Sequence, residues 1–387
     1  MIYLDNAATT FPKPDGVIEA MNDLMRNAPG NYNRGYYKDR KDVAYRIYET
    51  RSNIAELFDA DNSNNVVFTR GITESINCLL KGYLKEGDHV LCSQMEHNAV
   101  MRPLNQLSSR EAIFDRIPCD ENGKLIVSEI ERLIRPNTKL IIMLHASNVC
   151  GVIEPIEEVG FIAKKHGIKF FVDCAQTAGV LPISMRQMNI DAVMFTGHKG
   201  LYGPQGVGGF VLTDEMAEVI EPIISGGTGS LSLSEEIPQF MPDKFEAGTL
   251  NIPGIIGLNE GVKFIKQTGI NNIRNHEIEL IDRLINGIKK EPALKEHLSI
   301  VGGEDSKDRV GVISVKTHGI DEAQVCDILS NEYNIATRVG MHCAPSAHKV
   351  LGTSEGGTLR FSVSFFTTKK DIDDTINALK EIFDLGI

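Results

Sequence analysis

Positive charge is what this chain has least of: 40 lysines and arginines stand against 52 aspartates and glutamates, a formal net charge of −12. No Lys/Arg-rich stretch interrupts that acidic background. A protein whose main partner is nucleic acid needs a basic face for the phosphates, so that class is excluded. Paired cysteines are lacking too. Cys78, Cys92, Cys119, Cys150, Cys174, Cys326 and Cys343 are odd in number and scattered, and none forms a Cys-x-x-Cys pair. That fits neither a disulfide framework nor a zinc site, so no metal is expected, and most of the cysteines read as small buried hydrophobes. The opening Met1-Ile2-Tyr3-Leu4-Asp5 has no basic region and no long apolar segment. It therefore reads as neither a secretory signal nor a membrane span, and the chain as cytoplasmic. Repeats and low-complexity tracts are also absent.

What remains is an ordinary globular composition, 42% hydrophobic and 24% charged over 387 residues, long enough for two domains. Between residues 66 and 212, short apolar runs alternate with helical patterns. Val66–Phe68, His89–Leu91, Leu140–Leu144, Lys169–Val172, Ala192–Phe195 and Gly209–Leu212 are the expected strands. That alternation predicts an α/β fold, with a mostly parallel sheet covered by helices on both faces. From about residue 256 longer helical stretches lead into a smaller α+β segment. The expected division is a large domain over 15–255 and a small one over 256–387, joined by residues 1–14. The Gly/Ser-rich run through 225–244 reads as a long loop or hairpin that gates a site or builds an interface.

In such sheets ligands bind beyond the carboxyl ends of the strands. Polar residues gather there: Thr69-Arg70-Gly71, Glu96-His97-Asn98, Ser147-Asn148, Asp173-Cys-Ala-Gln176 and Thr196-Gly-His198-Lys199. An amine near a carboxylate is what holds pyridoxal phosphate, as a Schiff base on Lys199 with the pyridine nitrogen pinned by Asp173. Alone, Asp173 reads rather as a helix cap and Lys199 as a solvated loop residue; the two together, with the glycines and the apolar runs, reverse that reading. Thr73 opens a helix, either as part of a phosphate cradle or as a plain capping box. His97 reads alone as a hydrogen-bonded loop residue more often than as a ring lying flat against a cofactor, and Gln176 and Asn148 could bond the ring's phenolic oxygen or a substrate carboxylate. Arg360, inside an apolar strand, wants a planar anion, either a buried Asp/Glu or a substrate carboxylate. Cys343 sits in Arg338-Val-Gly-Met-His342-Cys343-Ala-Pro, where Arg338 and His342 are cationic or potentially cationic neighbours that favour a thiolate. The plainer reading of Cys343 is a seventh structural cysteine.

Together these residues resemble the fold-type I pyridoxal phosphate enzymes of the class V aminotransferase group, and within it the group II cysteine desulfurases and selenocysteine lyases. The likeness runs through Tyr3-Leu-Asp-Asn-Ala-Ala-Thr-Thr10, Arg70-Gly-Ile-Thr73-Glu, Met95-Glu-His97-Asn, Val172-Asp173-Cys-Ala-Gln176, Gly197-His198-Lys199-Gly-Leu-Tyr-Gly-Pro204, Phe245-Glu-Ala-Gly-Thr249-Leu-Asn251 and Arg338 to Pro345. The resemblance implies a large-domain sheet of the seven-stranded type, and that Lys199 carries the cofactor, Asp173 pairs with its ring nitrogen and His97 stacks on the ring. It implies that Thr73, Thr196 and His198 hold the phosphate. Thr249 would reach the phosphate of a second copy, which makes a homodimer the implied unit. Arg360, with Asn148 and Arg338 nearby, would bind the carboxylate of L-cysteine or L-selenocysteine. Cys343 would take the sulfur as a persulfide and pass it to an acceptor protein or thiol. The alternative is a class V aminotransferase in which Cys343 is incidental. Three positions depart from the family pattern: Ile72 for a threonine, Asn98 for a histidine and Met341 for a histidine.

Overall fold

A computed structural model describes residues 1–27, 40–108 and 112–384. Its centre is a seven-stranded sheet. From one edge to the other the strands are Val66–Thr69, Gly208–Leu212, Ala192–Thr196, Lys169–Asp173, Thr138–Leu144, His89–Ser93 and Ile113–Ile117. All neighbours run parallel except Gly208–Leu212, which is antiparallel to both of its partners. The mostly parallel sheet expected from the alternation is therefore present.

The inner strands are apolar runs because both faces of the sheet are covered. Val193, Phe195 and Val211 join a cluster with Ile54, Val159 and Ile255 from helices on one side. Met194, Phe210 and Leu212, one residue out of step, pack with Ile76, Leu79 and Val100 on the other. The edge strand Ile113–Ile117 was not legible in the sequence. It is only partly buried and carries Asp115 and Arg116, so its apolar signal is weak.

The C-terminal part is a smaller α+β domain with a four-stranded antiparallel sheet. Its strand order is Arg338–Gly340, Thr358–Ser362, Val312–Thr317 and Leu298–Val301. Ile313, Val315, Leu359 and Phe361 face the helices Ile270–Lys290 and Lys369–Asp384. The alternate residues Ser314 and Arg360 therefore face the large sheet, and Arg338 stands directly opposite Arg360 on the same side. The N-terminal strand Ile2–Tyr3 pairs with Ile335–Ala336, so the first residues are tied to this end of the chain. Residues 225–244 contain neither helix nor strand, so of the two expected forms the segment takes the loop. Its base is closed by the Gly248 N–H donating to the Gly227 carbonyl at 2.9 Å. Among the described residues no helix is long and apolar enough to cross a membrane, and no cluster of ligating side chains could hold a metal ion.

Candidate active site

Asp173 ends one strand and pairs in register with Met194 of the next, so the segments beyond the two strands emerge side by side. Glycines let those segments touch. A Cβ on Gly200 would lie 2.6 Å from the Ala178 carbonyl, and one on Gly179 only 2.3 Å from the Gly200 carbonyl. Lys199 is thereby brought close enough to Asp173 for each charge to act on the other. Burial pulls the Lys199 amine down to about 8; the Asp173 charge opposes this, while Arg360 and Arg338 add to it. Burial also raises the Asp173 carboxyl, against the Ala175 N–H donated to it at 2.8 Å and the Lys199 charge.

His97 precedes the helix Asn98–Ser108, and its Nδ1 accepts the Ala99 N–H at 3.0 Å. That bond fixes the ring and leaves the proton on Nε2. Burial, with Lys199 and Arg102 nearby, lowers its pKa to about 4, so the imidazole is neutral. Gln176 lines a small cleft of about 30 Å³ with Lys199, Asn6 and Thr10, and its Nε2 donates to the Ala7 carbonyl at 3.2 Å.

A larger recess of about 770 Å³ is lined by Gly71, Ile72, Thr73, Thr196, His198 and Gly206, among others. It forms where the helix Ile72–Tyr83 begins without a side-chain cap, so the first N–H groups and the positive end of the helix face the recess. Gly208 permits this: a Cβ there would sit 2.7 Å from Gly71 Cα. His198, lowered to about 4 by burial and by Lys199 and Lys13, keeps a buried Nδ1 with no partner among the described residues. Ile72 packs its side chain on the apolar cluster beneath, so its contribution to the recess is its backbone. Thr249 is exposed and lines an adjoining cavity of about 280 Å³ that shares Arg70, Glu74 and Gly206 with the recess.

Arg360 is buried. Its Nη1 donates to the Asn148 carbonyl at 2.9 Å and its Nη2 to Asp5 Oδ1 at 2.8 Å. Of the two anions expected for it, the protein carboxylate is present as partly exposed Asp5, while Nε has no partner among the described residues. Asn148 donates Nδ2 to the His342 carbonyl at 2.6 Å, and the Asn98 N–H donates to the Cys343 carbonyl at 2.8 Å. His342 and Cys343 are consecutive left-handed residues, φ 44° and 58°, a conformation that non-glycine residues hold only when their surroundings enforce it. The two amide donors supply that enforcement and leave the Cys343 side chain exposed. One departure from the family pattern, Asn98, is explained here. Position 98 acts through its backbone N–H, which any residue but proline provides. His342 is buried and pushed down to about 3 by burial and by Arg360, so of the two cationic neighbours expected around Cys343 this one is neutral. Nothing in the structure explains Met341.

Sequence reasoning passed over the grip of the N-terminal segment. The His198 carbonyl accepts from the Thr10 N–H at 2.9 Å, the Thr9 and Thr10 hydroxyls at 3.1 and 3.2 Å, and Lys13 Nζ at 2.8 Å. The only signal was the density of small polar residues between Asn6 and Thr10, with a lysine three residues later.

The model of the family described as "Aminotransferase class-V" matches residues 2–375. The chain belongs to that family, in its cysteine desulfurase branch. It is similar to a probable cysteine desulfurase of Methanothermobacter thermautotrophicus, 32% identical over all of this chain and 95% of the relative. It also resembles cysteine desulfurase CsdA of Escherichia coli, 30% identical over 99% of this chain and 94% of the relative. Among solved structures, the apo cysteine desulfurase of Thermococcus onnurineus superposes with a TM-score of 0.92 at 31% identity, covering 99% of this chain and 94% of that one. Enzymes of this fold type use pyridoxal phosphate, and the residues present fit it. A lysine amine near neutrality, a buried carboxylate, an uncapped helix start and an unpartnered buried His198 nitrogen match the group's aldehyde, ring nitrogen and phosphate.

Proposed function

We propose that the protein is a pyridoxal-phosphate-dependent cysteine desulfurase that converts L-cysteine to L-alanine and leaves the sulfur on Cys343 as a persulfide. The observation that carries this reading is the exposed Cys343 turn, pinned by Asn98 and Asn148 beside His97 and Arg360. An incidental cysteine has no need of two amide donors holding it in a left-handed turn.

Lys199 would hold the cofactor through its amine, Asp173 would face the ring nitrogen, and His97 would lie against the ring. Thr73, Thr196 and His198 would take the phosphate, with Gln176 at the ring's edge. Bound there, the cofactor supplies an electron sink that labilises the substrate's Cα–H bond. Lys199, once free, is an amine near 8 that takes the Cα proton at neutral pH. Arg360 binds the substrate carboxylate through Nε and Nη, with Arg338 adding positive charge at the rim and Asn148 backing the guanidinium. The Cys343 thiolate attacks the substrate sulfur. The carbon–sulfur bond breaks, its electron pair stays with carbon, and protonation of that carbon, with return of the proton that Lys199 took from Cα, gives alanine. The sulfur leaves Cys343 for an acceptor protein or a small thiol.

A homodimer is the working unit of this reading, with Thr249 reaching the second copy's phosphate. Exposed Ile223 and Ile224 border both the recess and the cavity lined by Thr249. Selenocysteine lyase chemistry and aminotransfer are the alternatives. The test is Cys343→Ser, with alanine and persulfide measured after L-cysteine. Loss of both supports desulfuration through Cys343. Persistence of both, or transamination with a keto acid, sinks it.

A further inference from the structure

We propose that Asp5 is a specificity residue of this site: its carboxylate holds one arm of the Arg360 guanidinium in the empty enzyme, and substrate binds by exchanging its own carboxylate for that of Asp5. The inference rests on the reading of Arg360 as the substrate-carboxylate site.

Arg360 lies on the middle of a sheet face with its side chain 3% exposed. A guanidinium that deep needs a counter-charge when no ligand is present. Asp5 supplies it, but through one oxygen and one nitrogen, at 2.8 Å. A carboxylate prefers the fork, two parallel N–H···O bonds along one edge of the guanidinium. Here the Nε of that edge is buried and has no partner among the described residues. The edge is half used, and a bidentate anion would use it better.

Asp5 is also built to yield. Its side chain is 20% exposed where that of Arg360 is almost sealed. Its backbone is anchored independently, its carbonyl accepting from the Ala8 N–H at 3.1 Å and the Tyr3 hydroxyl at 3.3 Å. The side chain can swing without unthreading the segment. A destination exists as well, because Arg338 stands opposite Arg360 in register on the same face and is exposed. Two guanidiniums then serve two carboxylates, one from the protein and one from the substrate.

The exchange sets affinity through competition, so removing the Asp5 charge should strengthen binding. Mercaptopropionate carries the carboxylate and thiol of cysteine without its amine, so it reaches Arg360 without displacing Lys199. Its Kd for the cofactor-loaded enzyme, measured by calorimetry, is expected to fall about fivefold in Asp5→Asn, the size of one partly exposed ion pair. The KM for L-cysteine should fall with it, the effect on KM exceeding that on kcat. Asp5→Ser, which also lacks the charge, carries the same expectation should the asparagine variant fail to fold. An unchanged Kd in the folded variant overturns the proposal. A weakened Kd overturns it too, because it makes Asp5 a brace for Arg360 rather than a competitor. Failure of the wild type to form alanine from L-cysteine would count against the desulfurase reading, while the calorimetric Kd still judges Asp5.

Discussion

The ionisation of Lys199 is open to direct measurement. Its amine is drawn from an ordinary value of 10.5 to about 8. At pH 7.5 an amine near 8 is about one quarter neutral, whereas one at the ordinary value is about 0.1% neutral, so the structure gives Lys199 about 200 times the nucleophilic fraction of a surface lysine. Competitive acetylation of the cofactor-free protein, followed by peptide mass spectrometry from about pH 6 to about pH 11, reads that fraction site by site. Lys199 should titrate with a midpoint near 8, well below the exposed Lys370 in the same sample. Two substitutions test the cause. Asp173→Asn removes the anion that opposes burial, so the midpoint should move lower still. Arg360→Gln removes a repelling cation, so it should move up. A Lys199 midpoint near that of Lys370, or shifts of the wrong sign in both variants, would refute this account of the site.

Three further outcomes are expected. Asn148→Ala frees the His342 carbonyl, so alanine formation should fall at least tenfold, about one charge-free buried hydrogen bond and its alignment, while the cofactor's visible absorption persists; full activity would separate Asn148 from the cysteine turn. Glu246→Ala leaves buried Arg51 without the carboxylate that meets it at 2.5 and 2.8 Å and removes the acceptor of the Phe68 N–H, which should cost about 3–5 kcal/mol in urea unfolding; a loss under about 1 kcal/mol would mean the site relaxes. Glu96 is fully buried, and burial raises its carboxyl to about 8. The folded state therefore binds a proton that the unfolded state has lost, so this group's contribution is full below the unfolded carboxylate value and declines as pH rises through about 8. Glu96→Gln should flatten the decline in unfolding free energy between about pH 5 and about pH 8, and an unchanged slope would contradict it.

The sheet was legible because its inner strands are covered on both faces and so read as unbroken apolar runs, with polar residues massed at their ends. The charged edge strand Ile113–Ile117 escaped because nothing buries it fully. Asp173 stood out because it follows an apolar run directly, and Lys199 and His97 because each comes shortly after one. The pairing of Asp5 with Arg360 did not, because the two are 355 positions apart and are brought together by equally distant contacts, Ile2–Tyr3 with Ile335–Ala336 and Leu4 to Ala7 with Ser362. The neutrality of His342 was equally hidden: its sequence neighbours suggest a cation, while its burial and the nearby Arg360 impose the opposite.

The opening residues also carry a consequence for synthesis. Synthesised before the segments they bond, they find their partners only later: the His198 carbonyl first, and Ile335 and Ser362 after it. Contacts of that sequence separation close slowly. The nascent large sheet can collapse long before, yet the loop bearing Lys199 stays without its fourfold grip until the N-terminal segment docks. The site is thus completed after the sheet that carries it.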